Sequence, residues 1–143
     1  MNSNIILNGH SDSPLDIVLN QLQKVANTPF EKSAPIPAVV NHSLEFYNQE
    51  QKKIFNNEWI CVGREDEISN AGDYITHDIA GVPILIVRQI TNEINAYINA
   101  CAHRFTCLVS KTSGRAKTFT CPYHAWTYGL DGTLKQAPFM EMK

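Results

Sequence analysis

Four side chains stand out for the chemistry they could share: Cys101, His103, Cys121 and His124. They lie in two short stretches, Cys101-Ala102-His103-Arg104 and Cys121-Pro122-Tyr123-His124. The first pair is spaced C-x-H and the second C-x-x-H, with seventeen residues between the pairs. Thiolate sulfur is a strong donor to ferric iron and to zinc, and neutral imidazole is the common nitrogen ligand. Two such pairs on two loops can converge on one metal site.

Three readings of that constellation compete. A structural Cys₂His₂ zinc site normally pairs Cys with Cys and His with His, at C-x₂₋₄-C and H-x₃₋₅-H spacing. Here each pair is mixed, and C-x-H is tight for two ligands of one tetrahedral ion. Coincidence is disfavoured by two mixed pairs lying so close together among Pro and aromatic residues. A Rieske-type centre, with two Cys on one iron and two His on the other, fits mixed pairs directly. Each loop would then give one ligand to each iron.

Longer stretches carry a resemblance. Cys101-Ala102-His103-Arg104, followed by Cys121-Pro122-Tyr123-His124-Ala125-Trp126-Thr127-Tyr128-Gly129-Leu130-Asp131-Gly132-Thr133-Leu134, is similar to the Rieske domain of non-haem iron oxygenases. The similarity is to the large (alpha) subunits of the aromatic-ring-hydroxylating type. Upstream, Ile54 to Gly63 and Gly72-Asp73-Tyr74 resemble the approach to that domain. The resemblance implies that Cys101 and Cys121 hold the buried iron of a [2Fe–2S] cluster. It implies that His103 and His124 hold the outer iron through Nδ1. Many relatives carry glycine where Phe105 and Ala125 stand. If either position needs φ > 0, a side chain there costs about 1 kcal/mol or more.

The resemblance also separates kinds of Rieske protein. Respiratory Rieske proteins pair an extra cysteine in each loop; the corresponding place here is Tyr123, so no such disulfide forms. Cys107 and Cys61 are then expected as small packed side chains. The respiratory type also has a cluster-bonding Ser where Trp126 stands here. Without that donor the potential should lie low in the Rieske range of about −150 to +300 mV. Oxygen chemistry in the family needs a mononuclear Fe(II) on a 2-His-1-carboxylate triad. The remaining histidines, His10, His42 and His77, show no such spacing and read as surface residues. The expectation is an N-terminal piece, or a split form, of an oxygenase alpha subunit. Its full-length parent would hydroxylate an organic, aromatic substrate with O₂, fed by a ferredoxin or a flavin/iron–sulfur reductase and assembled as a homo-oligomer, a trimer. The alternative is a stand-alone Rieske-type ferredoxin, and after it a structural zinc module.

The elements that must position the four residues follow from periodicity. Ser13 as N-cap, Pro14 at N1 and the spacing of Leu15, Val18, Leu19 and Leu22 predict a helix over 13–26. Pro29, Pro35 and Pro37 predict an extended linker over 28–41. Ser43 caps a second expected helix over 44–56, with Leu44, Tyr47, Gln51 and Ile54 on one side. From Trp59 the period becomes two, and strands are expected at 59–62, 73–77, 82–88, 94–99, 118–121, 126–128 and 133–135. Turn signals separate them, among them Ala80-Gly81, Ser113-Gly114 and Asp131-Gly132. The fold class is mainly β, a small antiparallel sandwich or barrel behind one or two N-terminal helices. The division expected is 1–42 for helix and linker and 43–143 for the cluster domain, whose sheet lacks a closing strand if the chain is truncated.

Composition excludes other classes. The 143 residues are 43% hydrophobic and 18% charged with net charge −2, ordinary for a globular chain. No basic run points to nucleic acid, and no stretch is apolar enough for a membrane span or a signal peptide. A cytoplasmic location with reduced cysteines is the default. The charge is uneven: residues 1–100 carry net −6, whereas residues 101–143 hold six Lys/Arg against two Asp/Glu. Arg104, Lys111, Arg115 and Lys117 lie between the ligand pairs, and this basic segment reads as a solvated hairpin or as a landing site for an acidic donor.

Overall fold

The computed structural model describes residues 13–140, and the chain divides into two compact units at Trp59/Ile60. In the first unit, helix α1 spans Pro14–Ala26. It begins on the expected capping box: the Ser13 hydroxyl accepts from the Asp16 N–H, and the Asp16 carboxylate accepts from the Ser13 N–H. Helix α2 spans Leu44–Glu50, capped by Ser43, whose hydroxyl accepts from the Phe46 N–H at 3.1 Å. The expected α-helix to 56 is corrected here, because Gln51–Phe55 winds as a π-helix closed by Asn56 N–H to Gln51 O. The expected apolar side is not the covered one: Leu44, Tyr47 and Ile54 are exposed, whereas Phe46, Gln49 and Glu50 of α2 and Gln51 after it are half-buried. The Pro-rich linker is extended but interrupted by single 3₁₀ turns at Phe30–Lys32 and Ala38–Asn41.

The second unit holds the β structure. Strands β1 (Asp73–Ile79), β2 (Val82–Arg88), β3 (Ile94–Ile98) and β4 (Ser113–Arg115) form an antiparallel sheet in the order β3-β2-β1-β4. Strands β5 (Phe119–Thr120), β6 (Thr127–Tyr128) and β7 (Leu134–Gln136) form a second, three-stranded sheet. The mainly β antiparallel class expected from the sequence is therefore found. Ala80 and Gly81 both take positive φ, 58° and 80°, which is the requirement of a two-residue I′ hairpin and sets the β1–β2 register.

The apolar run of β2 lacks alternation because both faces of this central strand are covered. Leu85 and Val87 pack with Tyr74, Phe119 and Leu130, joining the two sheets. The Tyr74 and Phe119 rings meet edge-on at 5.6 Å. Ile84 and Ile86 face the other way, under Ile68, Ile75 and Val62. That second face is covered by irregular chain, which corrects the strand expected at 59–62: Val62 lies over the sheet and Trp59 is fully exposed. Ser113-Gly114 is likewise strand, not turn. Gly114 stands opposite Tyr74, and a Cβ there would lie 2.6 Å from the Tyr74 hydroxyl, so its glycine makes room for a ring.

Arg88 ends β2 almost completely buried. Its Nε donates to the Ile68 carbonyl, Nη1 to the Asn92 carbonyl at 2.9 Å, and Nη2 to Glu65 Oε1 at 3.0 Å. The guanidinium thereby ties the 3₁₀ turn Glu65–Ile68 and the β2–β3 turn to the sheet. Among the described residues, no helix is long and apolar enough to cross a membrane.

Candidate metal centre

Two loops rise from the sheets with the same local design. In the first, Cys101 N–H donates to Thr106 O at 2.8 Å, and Phe105 N–H donates to Cys101 O at 2.7 Å. In the second, Cys121 N–H donates to Trp126 O at 2.8 Å, and Ala125 N–H donates to Cys121 O at 3.0 Å. Each loop thus closes on its cysteine, and the residue four places on has to turn left-handed. Phe105 has φ 54° and Ala125 φ 56°, the conformation in which a Cβ costs about 1 kcal/mol or more. The glycine of many relatives at these two places is explained by that geometry. We expect Phe105→Gly and Ala125→Gly each to raise unfolding stability by about 0.5–1 kcal/mol in urea titrations, less than the full relief because glycine gains entropy when unfolded.

Further hydrogen bonds hold the loops in place. Asn99, buried after β3, clamps the first loop: its Nδ2 donates to Val109 O at 2.7 Å and its Oδ1 accepts from Val109 N–H at 3.0 Å. The second loop is short and is closed by the pairing of Phe119-Thr120 with Thr127-Tyr128.

The closure places the two thiols inside and the two imidazoles outside. Cys101 and Cys121 are buried beside Tyr128, lined by Leu108, Trp126 and Leu134. The two share one buried side-chain cluster, and neither forms a disulfide. His103 and His124 are half-buried with ring centroids 4.8 Å apart. Trp126 of the second loop stacks on His103 of the first, at 4.9 Å and 11° between planes. Tyr123 stacks on its neighbour His124 at 3.8 Å. The His124 Nδ1 is buried without any hydrogen-bond partner. A buried nitrogen lone pair without a partner is costly, unless something absent from the protein atoms meets it.

Electrostatics favour the ligand forms. Burial raises the Cys101 thiol pKa, but hydrogen bonds from Tyr128, from the backbone N–H groups of His103 and Arg104 and from Cys121 outweigh it, leaving a net lowering toward thiolate. Burial, with the like charges of His103 and Arg104, pushes His124 down toward the neutral imidazole. Tyr128 is pushed up to about 12, first by burial and then by Cys101. Its hydroxyl oxygen accepts the Ala102 N–H at 3.0 Å while lying 3.2 Å from Cys101 Sγ. With the oxygen already accepting, its own proton is free for sulfur. Nothing local in the sequence marks Tyr128 for this role, since phenylalanine would pack there as well.

All four sequence-derived candidates therefore gather at one end of the unit. Among the described residues, no group of three or more His, Cys, Asp or Glu is arranged around a single metal ion. The layout is one thiol pair inside and one imidazole pair outside, which suits a two-iron cluster better than one tetrahedral zinc. The other expectations divide. Cys61 and Cys107, expected as packed, are both exposed, Cys61 because its segment never joins a sheet, Cys107 because its thiol turns out to Val109 O at 3.2 Å. His42 and His77 are exposed as expected. His10 lies outside the described residues.

Comparison with known proteins agrees with this geometry. Residues 58–142 match the family model described as Rieske [2Fe-2S] domain. The alpha subunit of biphenyl 2,3-dioxygenase from Rhodococcus jostii (strain RHA1) is 40% identical over 95 residues, covering 66% of this chain and 21% of the relative. The carnitine monooxygenase oxygenase subunit of Escherichia coli (strain K12) is 38% identical over 102 residues, 71% of this chain and 27% of the relative. In structure, naphthalene 1,2-dioxygenase from Rhodococcus sp., bound to indole, superposes with TM-score 0.73 at 30% identity, over 85% of this chain and 27% of that one. The chain thus spans roughly a quarter of the length of these relatives. Two matched loops on a pair of small antiparallel sheets, with these likenesses, make the chain a member of the Rieske [2Fe–2S] domain family, of the kind found in oxygenase alpha subunits.

Proposed function

We propose that Cys101, His103, Cys121 and His124 hold the Rieske cluster, and that the chain passes single electrons as the N-terminal part of an oxygenase alpha subunit. The observation that carries the assignment is the buried, partnerless Nδ1 of His124 beside a buried thiol pair. When bound, the cluster supplies one-electron redox chemistry. Cys101 and Cys121 would hold one of its irons, in the pocket lined by Leu108, Trp126 and Leu134. His103 and His124 would hold the other through Nδ1, and Trp126 and Tyr123 fix the planes of their rings. Tyr128 donates its hydroxyl proton to Cys101 sulfur, which stabilises negative charge there.

Tyr128 therefore tunes the potential. Removing a hydrogen bond worth about 1 kcal/mol to the reduced form lowers a one-electron potential by about 40 mV. We expect Tyr128→Phe to shift the midpoint down by that order in a dye-mediated titration, with cluster content unchanged. The wild-type midpoint should lie low in the family range and below about +200 mV, for Trp126 brings no hydroxyl where the respiratory type has a cluster-bonding serine. A higher value speaks against the oxygenase assignment.

The remaining parts of the reading extend beyond this chain. We assign residues 1–42 to an N-terminal helix and linker and 43–143 to the Rieske domain with its lead-in, the compact β unit itself beginning at Ile60. The mononuclear Fe(II) that activates O₂ belongs to a C-terminal catalytic domain of a longer parent, which hydroxylates an organic, aromatic substrate. A ferredoxin or flavin/iron–sulfur reductase is the electron donor, and the parent is a homotrimer. Four cysteines without a disulfide fit the reducing cytoplasm. The test is chemical: protein kept from air should contain iron and acid-labile sulfide in equal amounts, about two of each per chain. Zinc in their place rejects the assignment.

A further inference from the structure

We propose that Phe105, Arg104 and Tyr123 form the docking patch for an acidic protein that donates one electron. The proposal rests on the Rieske reading and adds to it the face by which the donor is recognised. Phe105 is 82% exposed and Tyr123 58%. The Arg104 guanidinium lies over the Tyr123 ring, its Cζ 5.9 Å from the centroid. Tyr123 in turn stacks on His124. The patch is therefore continuous with the half-exposed imidazole edge.

Phe105 is disfavoured twice where it stands. Its backbone is left-handed at φ 54°, and its ring is exposed to water without a packing partner in the fold. Ala125, at the matching place of the other loop, has the same backbone strain but the smallest side chain. Of these two left-handed positions, only that of the first loop carries a large apolar side chain. Strain held at a site without local benefit is a mark of function, and aromatic residues with arginine are the residue types that anchor protein interfaces.

Charge selects the partner. Residues 101–143 hold six Lys/Arg against two Asp/Glu, and one of those two, Asp131, is paired to Lys135. Arg115 is engaged by Asp73 at 2.6 Å, which leaves Arg104, Lys111 and Lys117 to the surrounding field. Such a surface steers an acidic partner and disfavours a basic one. In the step that follows docking, the donor's reduced centre loses one electron and this chain's oxidised site gains it. No bond is made or broken. The rival occupant is a second copy of this chain, because residues 1–100 are net acidic.

The experiment titrates the full chain with an acidic plant-type [2Fe–2S] ferredoxin at low salt, by calorimetry. Phe105→Gly should weaken binding about tenfold while raising thermal stability, a combination that a merely structural role does not produce. Arg104→Gln should weaken it and flatten its salt dependence. Lys52→Gln, on the exposed π-helical turn of the first unit, should leave binding unchanged. Reduction of the same variants by dithionite should proceed at the wild-type rate. Unchanged affinity in Phe105→Gly, or no binding by wild type, overturns the proposal. So does sedimentation showing a wild-type self-associated species that Phe105→Gly abolishes, which assigns the patch to a second copy. EPR of each sample reports separately on the cluster, so a failed Rieske reading appears as a missing signal while binding is still measured.

Discussion

Substituting His124 with alanine abolishes the cluster and leaves a folded, colourless chain. The reason is geometric. The second loop offers no other nitrogen ligand: its side chains are Pro122, Tyr123, Ala125 and Trp126, and the indole nitrogen of Trp126 is a donor only, with no lone pair for a metal. His42 and His77 are exposed, in a 3₁₀ cap and on β1, and neither belongs to a ligand loop. The same loss follows for His103→Ala, where the neighbour Arg104 cannot serve as ligand because its guanidinium stays protonated. Losing one ligand of four opens an iron to water and to cluster decay. Iron content should fall to near zero in both variants, while His42→Ala and His77→Ala retain full content. Folding should survive, because the sheets are built on Tyr74, Leu85, Val87, Phe119 and Leu130, none of which touches the ligands' role. Far-ultraviolet circular dichroism with iron analysis checks both halves of this expectation.

Arg88→Met should have the largest effect on the protein itself, about 3 kcal/mol of destabilisation. The methionine replaces the stem but none of the donors. It leaves the carbonyls of Ile68, Glu65 and Asn92 without the guanidinium that meets them. A buried acceptor without a partner costs about 1–3 kcal/mol. The ion pair with Glu65 adds little, since that carboxylate is mostly exposed. Glu65→Gln should therefore cost well under 1 kcal/mol. Guanidinium unfolding of the two variants separates a carbonyl clamp from a salt bridge. In Arg88→Met the turn Glu65–Ile68 should lose amide protection first, because Ile68 covers the Ile75–Ile86 face of the sheet.

Neither Arg88 nor Tyr128 was visible as special in the sequence. Arg88 follows an apolar run as any strand-ending charge does, and two of its three partners, Ile68 and Glu65, lie 20 and 23 residues away along the chain. Tyr128 meets Cys101 across 27 positions, a distance no local pattern reports. What was legible was local. The Ser13–Asp16 capping box, the Ala80-Gly81 hairpin and the apolar run of β2 each depend on neighbouring residues alone. The mixed Cys/His pairs were legible because each loop is itself local, a six-residue turn from Cys101 to Thr106 or from Cys121 to Trp126. The expectation that Phe105 and Ala125 stand where glycine is preferred came through the family resemblance and found its cause in φ. The misreadings have tertiary causes. Trp59 to Val62 has the pattern of a strand but covers the sheet instead of joining it. Ser113-Gly114 has the composition of a turn, yet Tyr74 needs the space its glycine leaves. The helix after Glu50 widens into a π turn, which the 3.6-residue period could not register.

The central claim is that two thiolates and two imidazoles, not four thiolates, share a cluster of two irons. Pulsed EPR of the anaerobically reduced chain addresses it most directly. The account expects one unpaired electron coupled to two directly bonded imidazole nitrogens, with one nitrogen coupling lost or the signal absent in His103→Ala and in His124→Ala. A reduced signal without nitrogen coupling, or protein that carries zinc and gives no signal at all, contradicts it.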